Sequence, residues 1–189
     1  AKFLERDVSS IQSDEVISLY PPGHLRILAG CAPCQRFSTY TQGKKDQPEP
    51  KWSLLRKFGD VVEATGAPVV TMENVALLKR HQVYEDFISR LRAIGYHVAD
   101  QEVNCADYGI PQTRRRLVVM ASLYGEICLV QPTNDEGTYA TVRSAIGDVP
   151  VIAAGEICSQ DPLHRASSLS EINLRRIQSS RPGGTWRDW

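Results

Sequence analysis

The sequence carries no net charge, with 22 lysines and arginines against 22 aspartates and glutamates in 189 residues. A global electrostatic pull toward nucleic acid or an anionic membrane is therefore absent. No apolar run reaches membrane-spanning length, and the first residues lack a signal-peptide pattern. Five cysteines are too few and too oddly numbered for a disulfide scaffold, which suits a reducing cytoplasm. Zinc has little to bind, because Cys31 and Cys34 lack a second C-x-x-C or a pair of histidines. No G-x-G string occurs, so the glycine-rich turn that opens many nucleotide-binding folds is missing. No internal repeat is present. These absences predict a soluble, cytoplasmic chain of one domain, or one domain with an appendage.

What is present is an alternation of short apolar runs and helical periodicities. Leu25–Ala29 and Pro68–Met72 are aliphatic runs bounded by Gly or Pro, as buried strands are. His97–Val103 and Leu117–Leu123 read as two more strands. Leu54, Leu55, Phe58, Val61 and Val62 recur at helical spacing and predict a helix over Ser53–Thr65. Tyr84, Phe87, Ile88, Leu91 and Ile94 predict another over Val83–Ile94. Such alternation implies an α/β fold around a mostly parallel sheet. Ala106–Gln112, with Gly109 and Pro111, reads as an irregular loop, and the charged stretch Ser38–Trp52 as a mobile lid candidate. Beyond Leu129 periodicity weakens, leaving one helix candidate, Leu169–Ile177, with Ser170 as its cap.

Three strings carry the chemistry. GCAPCQRFS (Gly30–Ser38) sets Cys34 at the exit of a strand, MENV (Met72–Val75) sets Glu73 at the end of another, and YGIPQTRRR (Tyr108–Arg116) runs into a third. A thiol, a carboxylate and arginines at strand ends are the parts needed for covalent catalysis on an electron-poor ring. Each has a plain alternative. A lone cysteine is most often a small core residue, a fate assigned here to Cys105, Cys128 and Cys158. Cys31 with Cys34 also forms a C-x-x-C, which can be a redox pair, although that leaves the other two strings unexplained. Glu73 and Asn74 both suit helix caps, and a run of arginines is ordinarily a solvated face. Alternation along a strand would send Arg114 and Arg116 to one face and Arg115 to the other.

In this order and spacing, Pro-Cys-Gln, Glu-Asn-Val and Gln-x-Arg-x-Arg resemble the DNA (cytosine-5) methyltransferase family of bacterial type. The resemblance implies an α/β fold, an incomplete Rossmann-like class I methyltransferase sheet with flanking helices. It implies S-adenosyl-L-methionine as cofactor and double-stranded DNA with a flipped-out cytosine as substrate. Cys34 would then be the nucleophile, Glu73 the group that bonds the ring nitrogen, and Arg114 and Arg116 the partners of the base carbonyl and a phosphate. Pro33, Gln35, Ser38 and Gln112 would line the substrate side. Asp7 and Val8, after a short strand, and Leu54 would contact the cofactor's adenosine portion. Residues 1–148 match part of the catalytic domain, and 149–189 a segment leading into the target-recognition region.

The family's glycine-rich opening loop, its acidic residue after the second strand, most of its recognition domain and its closing motifs are not found. The expectation is therefore a piece of a longer enzyme, inactive by itself, that associates through an exposed sheet edge. A catalytically incompetent module that binds DNA or a partner, a thiol redox protein and an RNA-directed cytosine-5 enzyme remain alternatives.

Overall fold

The computed structural model describes residues 3–32, 53–185 and 187. By contacts, the chain forms two compact units, residues 1–141 and 142–189. The first unit contains α1 (Ser13–Ser18), β1 (Ile27–Gly30), α2 (Ser53–Thr65), β2 (Val69–Asn74), α3 (Gln82–Ala93), β3 (His97–Asn104) and β4 (Arg115–Ser122). The second holds α4 (Val142–Ile146), α5 (Glu171–Ser179) and an isolated bridge between Ile157 and Arg165. Ser170 takes the N-cap position of α5 without a side-chain cap bond. Among the described residues, no helix is long and apolar enough to cross a membrane.

The sheet order is β1-β2-β4-β3. β1 and β2 are parallel, whereas β4 lies antiparallel between β2 and β3. The expectation of a mostly parallel sheet is therefore corrected to a mixed one, with a single parallel pair. The cause is the ten-residue connection from β3 to β4. It is too short for the crossover that a parallel pair needs, so the chain turns back as a hairpin.

One face of the sheet makes the core. Val70, Met72 and Asn74 of β2 alternate with half-exposed Val69, Thr71 and Glu73. Val70, Met72 and Asn74 pair in register with Ala121, Val119 and Leu117 of β4, all buried. Against this face pack Leu55 and Val62 of α2, and Val83, Tyr84, Phe87, Ile88 and Leu91 of α3. Phe58 and Phe87 bring the two helices together with ring centroids 5.9 Å apart. Arg90 of α3 reaches across to Asp60 at 2.7 Å and also binds Glu63 of α2. Burial pushes the Tyr84 hydroxyl strongly upward, and its bond to Asp100 (2.7 Å) pins α3 to β3.

Leu117 is fully buried between Asn74 and Glu102 in the ladder. Leu117→Ala is expected to destabilise the fold by about 2–5 kcal/mol, the range for a leucine truncated in a packed core. Urea unfolding of both proteins measures it, and a loss under about 1 kcal/mol would mean that the sheet centre is loosely packed.

Two further expectations are corrected. No strand precedes Asp7 among the described residues; Asp7 instead caps a 3-10 turn over Val8–Ser10. Cys105 and Cys158 are only partly buried and Cys128 is exposed, so none is the core residue expected. Cys128 lies in the irregular chain after β4.

Candidate active site

β1 and β2 are parallel, so their C-terminal ends lie side by side, the edge where α/β folds place ligands. β4 begins at that same end because it runs the opposite way. Glu73 is the penultimate residue of β2 and pairs with Val118, so Arg116, two residues earlier in β4, sits diagonally on the same face. Arg116 Nε donates to Glu73 Oε1 at 2.7 Å, with the arginine side chain 19% and the glutamate 41% exposed. Arg115, on the other face, pairs with Glu102 at 2.9 Å. Arg114 precedes the strand, is exposed, and makes no side-chain ion pair or hydrogen bond among the described residues.

Two residues that the motifs did not single out as site residues meet at this edge. Cys31, first after β1, donates its thiol to Glu73 Oε2 at 3.1 Å. Asn74 is buried; its amide donates to the Ala32 carbonyl at 3.1 Å and its oxygen accepts from the Val75 N–H at 2.8 Å. Asn74 thus ties the end of β2 to the segment that leads into Cys34. Pro33, Cys34, Gln35, Ser38 and the lid candidate Ser38–Trp52 lie outside the described residues.

Gln112 is exposed in the loop between β3 and β4. That loop opens with a 3-10 turn, Cys105–Tyr108, and Gly109 follows at φ +81°, a left-handed conformation that glycine adopts without strain. Cys105 N–H donates to the Arg114 carbonyl at 2.9 Å and closes the loop's neck. Thr133 and Asn134 N–H groups both donate to the Asp107 carbonyl, and Tyr139 donates its hydroxyl to the Asp107 carboxylate at 2.5 Å. That bond to an anion pushes the Tyr139 hydroxyl above its ordinary value. Gln112 is thus carried on a braced loop.

A cavity of about 490 Å³ lies beside β1, lined by Asp7, Val8, Leu28, Gly30, Cys31, Leu54, Phe58 and neighbouring apolar residues. Its walls are mostly aliphatic and aromatic, with Asp7 among the lining residues. Asp7 Oδ1 accepts from the Ser9 hydroxyl (2.7 Å) and N–H (2.8 Å), which holds the carboxyl below its ordinary range. Gly30 is required here, because a Cβ would fall 2.4 Å from Phe58 Cε2. The volume and the mostly apolar lining suit a nucleoside-sized ligand. Asp7, Val8 and Leu54, far apart in sequence, share this one cavity, and Cys31 stands between it and Glu73. No group of three or more metal-ligating side chains occurs among the described residues.

The mixed α/β sheet, with a carboxylate–arginine pair at its C-terminal edge beside an apolar cavity, is of the class I methyltransferase fold. The sequence profile of the C-5 cytosine-specific DNA methylases matches residues 2–181, and the chain belongs to that family. It is 44% identical to the type II methylase M.HgiDII of Herpetosiphon aurantiacus over 191 residues, covering 100% of this chain and 53% of the relative. With the type II methyltransferase M1.HphI of Haemophilus parahaemolyticus it shares 30% identity, over 98% of this chain and 50% of the relative. The chain thus spans about half the length of these relatives. Among solved structures it resembles the Entamoeba histolytica methyltransferase EhMeth, with 27% identity and a TM-score of 0.52. That match covers 69% of this chain and 42% of the other. A DNA modification methyltransferase encoded within an E. coli prophage superposes with a TM-score of 0.63 at 20% identity, over 84% and 45% of the two chains, a likeness of fold.

Proposed function

We propose that this chain forms part of an enzyme that transfers a methyl group from S-adenosyl-L-methionine to carbon 5 of a cytosine flipped out of duplex DNA, in the cytoplasm. The observation that carries this reading is the meeting of Glu73 with Arg116 and with Cys31, which also lines the cavity shared by Asp7, Val8 and Leu54, next to the segment entering Cys34. Residues 1–148 would supply this catalytic part, and 149–189 would lead into the target-recognition region.

Carbon 5 of cytosine is a poor nucleophile while its ring is aromatic. Addition of the Cys34 thiolate to carbon 6 breaks that aromaticity and gives carbon 5 enamine character. Glu73 faces the ring nitrogen and the exocyclic amine, and shares a proton with that nitrogen as the thiolate adds. Arg116 keeps the Glu73 carboxyl fixed from the strand side, and Arg114, exposed at the loop's end, is available for a phosphate. Pro33, Gln35, Ser38 and Gln112 would line the base. Loss of the carbon-5 proton then lets the ring expel the thiolate and regain aromaticity. Asp7, Val8 and Leu54 would hold S-adenosyl-L-methionine, whose sulfonium supplies an electrophilic methyl group.

The test is product analysis. The full-length protein that carries this chain, incubated with duplex DNA and labelled cofactor, is expected to yield labelled 5-methylcytosine after nuclease digestion. Label on the exocyclic nitrogen, or on RNA in preference to DNA, would overturn the reading. The cavity gives a second check. Gly30→Ala forces the Phe58 ring toward the space it lines. Cofactor binding to the full-length variant is expected to weaken by about tenfold or more, measured by titration calorimetry. Unchanged affinity would remove the cofactor from this cavity.

A further inference from the structure

Both oxygens of Glu73 are already engaged: Arg116 takes Oε1 at 2.7 Å and the Cys31 thiol takes Oε2 at 3.1 Å. The two donors differ in kind. A guanidinium–carboxylate contact is charge-assisted and directional, while a thiol is a weak donor. Each carboxylate oxygen can accept a second hydrogen bond, so a ring nitrogen and an amine compete first with the weaker contact, and the thiol is the one that yields.

Resting on the function proposed above, we propose that Cys31 is a positioning residue for Glu73. In the empty site its thiol holds the carboxyl plane against rotation, then releases Oε2 to the base. Register supports the placement. Gly30 pairs with Met72 in the parallel ladder, so the next residue along β1, Cys31, falls beside Glu73. Cys31 is exposed and also lines the cavity beside β1, so it stands between the two halves of the reaction without belonging to the core. Alanine there leaves Glu73 with one fixed oxygen; serine restores an O–H donor in nearly the same place.

Two measurements test this. The first uses the full-length protein and iodoacetamide, with fragment-ion mapping to separate Cys31 from Cys34. A neighbouring carboxylate opposes the thiolate that alkylation requires, and Glu73→Gln removes it. Cys31 is expected to alkylate faster in Glu73→Gln by roughly three- to tenfold. Equal rates would show that the thiol and the carboxyl do not interact, and would overturn the proposal. The second uses the same protein. Cys31→Ala is expected to raise KM for DNA by about tenfold with little change in kcat, because the contact exists only before the base binds, and Cys31→Ser to restore most of it. A wild-type KM in Cys31→Ala, or Cys31→Ser as impaired as Cys31→Ala, would overturn the role. Were no variant nor wild type to transfer a methyl group, the proposed function would fail, while the alkylation comparison would still decide the contact.

Discussion

Cys34→Ser in the full-length protein is expected to abolish methyl transfer and to leave DNA binding largely intact. A serine hydroxyl at neutral pH has almost no oxyanion; a cysteine supplies both a usable anion fraction and a softer nucleophile. The consequence is all or nothing, because without addition at carbon 6 the ring never becomes reactive at carbon 5. DNA containing 5-fluorocytosine provides the discriminating measurement. Fluorine at carbon 5 cannot leave as a proton does, so the adduct persists. A stable protein–DNA adduct formed by wild type and not by Cys34→Ser is the expected pattern. Equal trapping by both would exclude Cys34 as the attacking group.

Glu73→Gln is expected to slow transfer by a factor on the order of 10²–10⁴, the usual range for loss of a positioned acid–base group. Glutamine matches the shape and still accepts from Cys31 or Arg116 through its carbonyl. It cannot hold a proton in exchange with the ring nitrogen. It also leaves Arg116, only 19% exposed, without its ion pair. Rapid-quench single turnovers report this step directly, and DNA affinity should change by only a few-fold. A decrease confined to DNA binding would recast Glu73 as a recognition residue.

Much of this was legible in the residue pattern. The α2 periodicity gave bounds that coincide with the helix, Ser53–Thr65, because its apolar positions face a single core. The four strands fell within a few residues of their expected bounds, β2 and β4 because their alternate residues are buried. Strand direction was not legible, since alternation tells which face a residue takes and not which way the chain runs. The antiparallel course of β4 follows instead from the length of the loop before it. α1 escaped notice because none of its residues is buried, so no apolar period marks it. Cys31 read only as half of a C-x-x-C; its partner Glu73 stands 42 residues away and is reached through the β1–β2 register. Asn74 likewise suited a cap in the sequence, and only the fold turns its amide toward Ala32.

The β3–β4 hairpin has a consequence for how this site can change over evolutionary time. A slip of β4 by one residue would swap the faces of Arg115 and Arg116, and Glu73 would still find an arginine. The same slip would pull Leu117, Val119 and Ala121 out of the core, at a far larger cost than any half-exposed ion pair returns. Oil on one side of the strand therefore decides which arginine meets the carboxylate on the other. Insertions and deletions between residues 105 and 114 can accumulate at the loop tip, while the identity of the arginine at Glu73 stays unchanged.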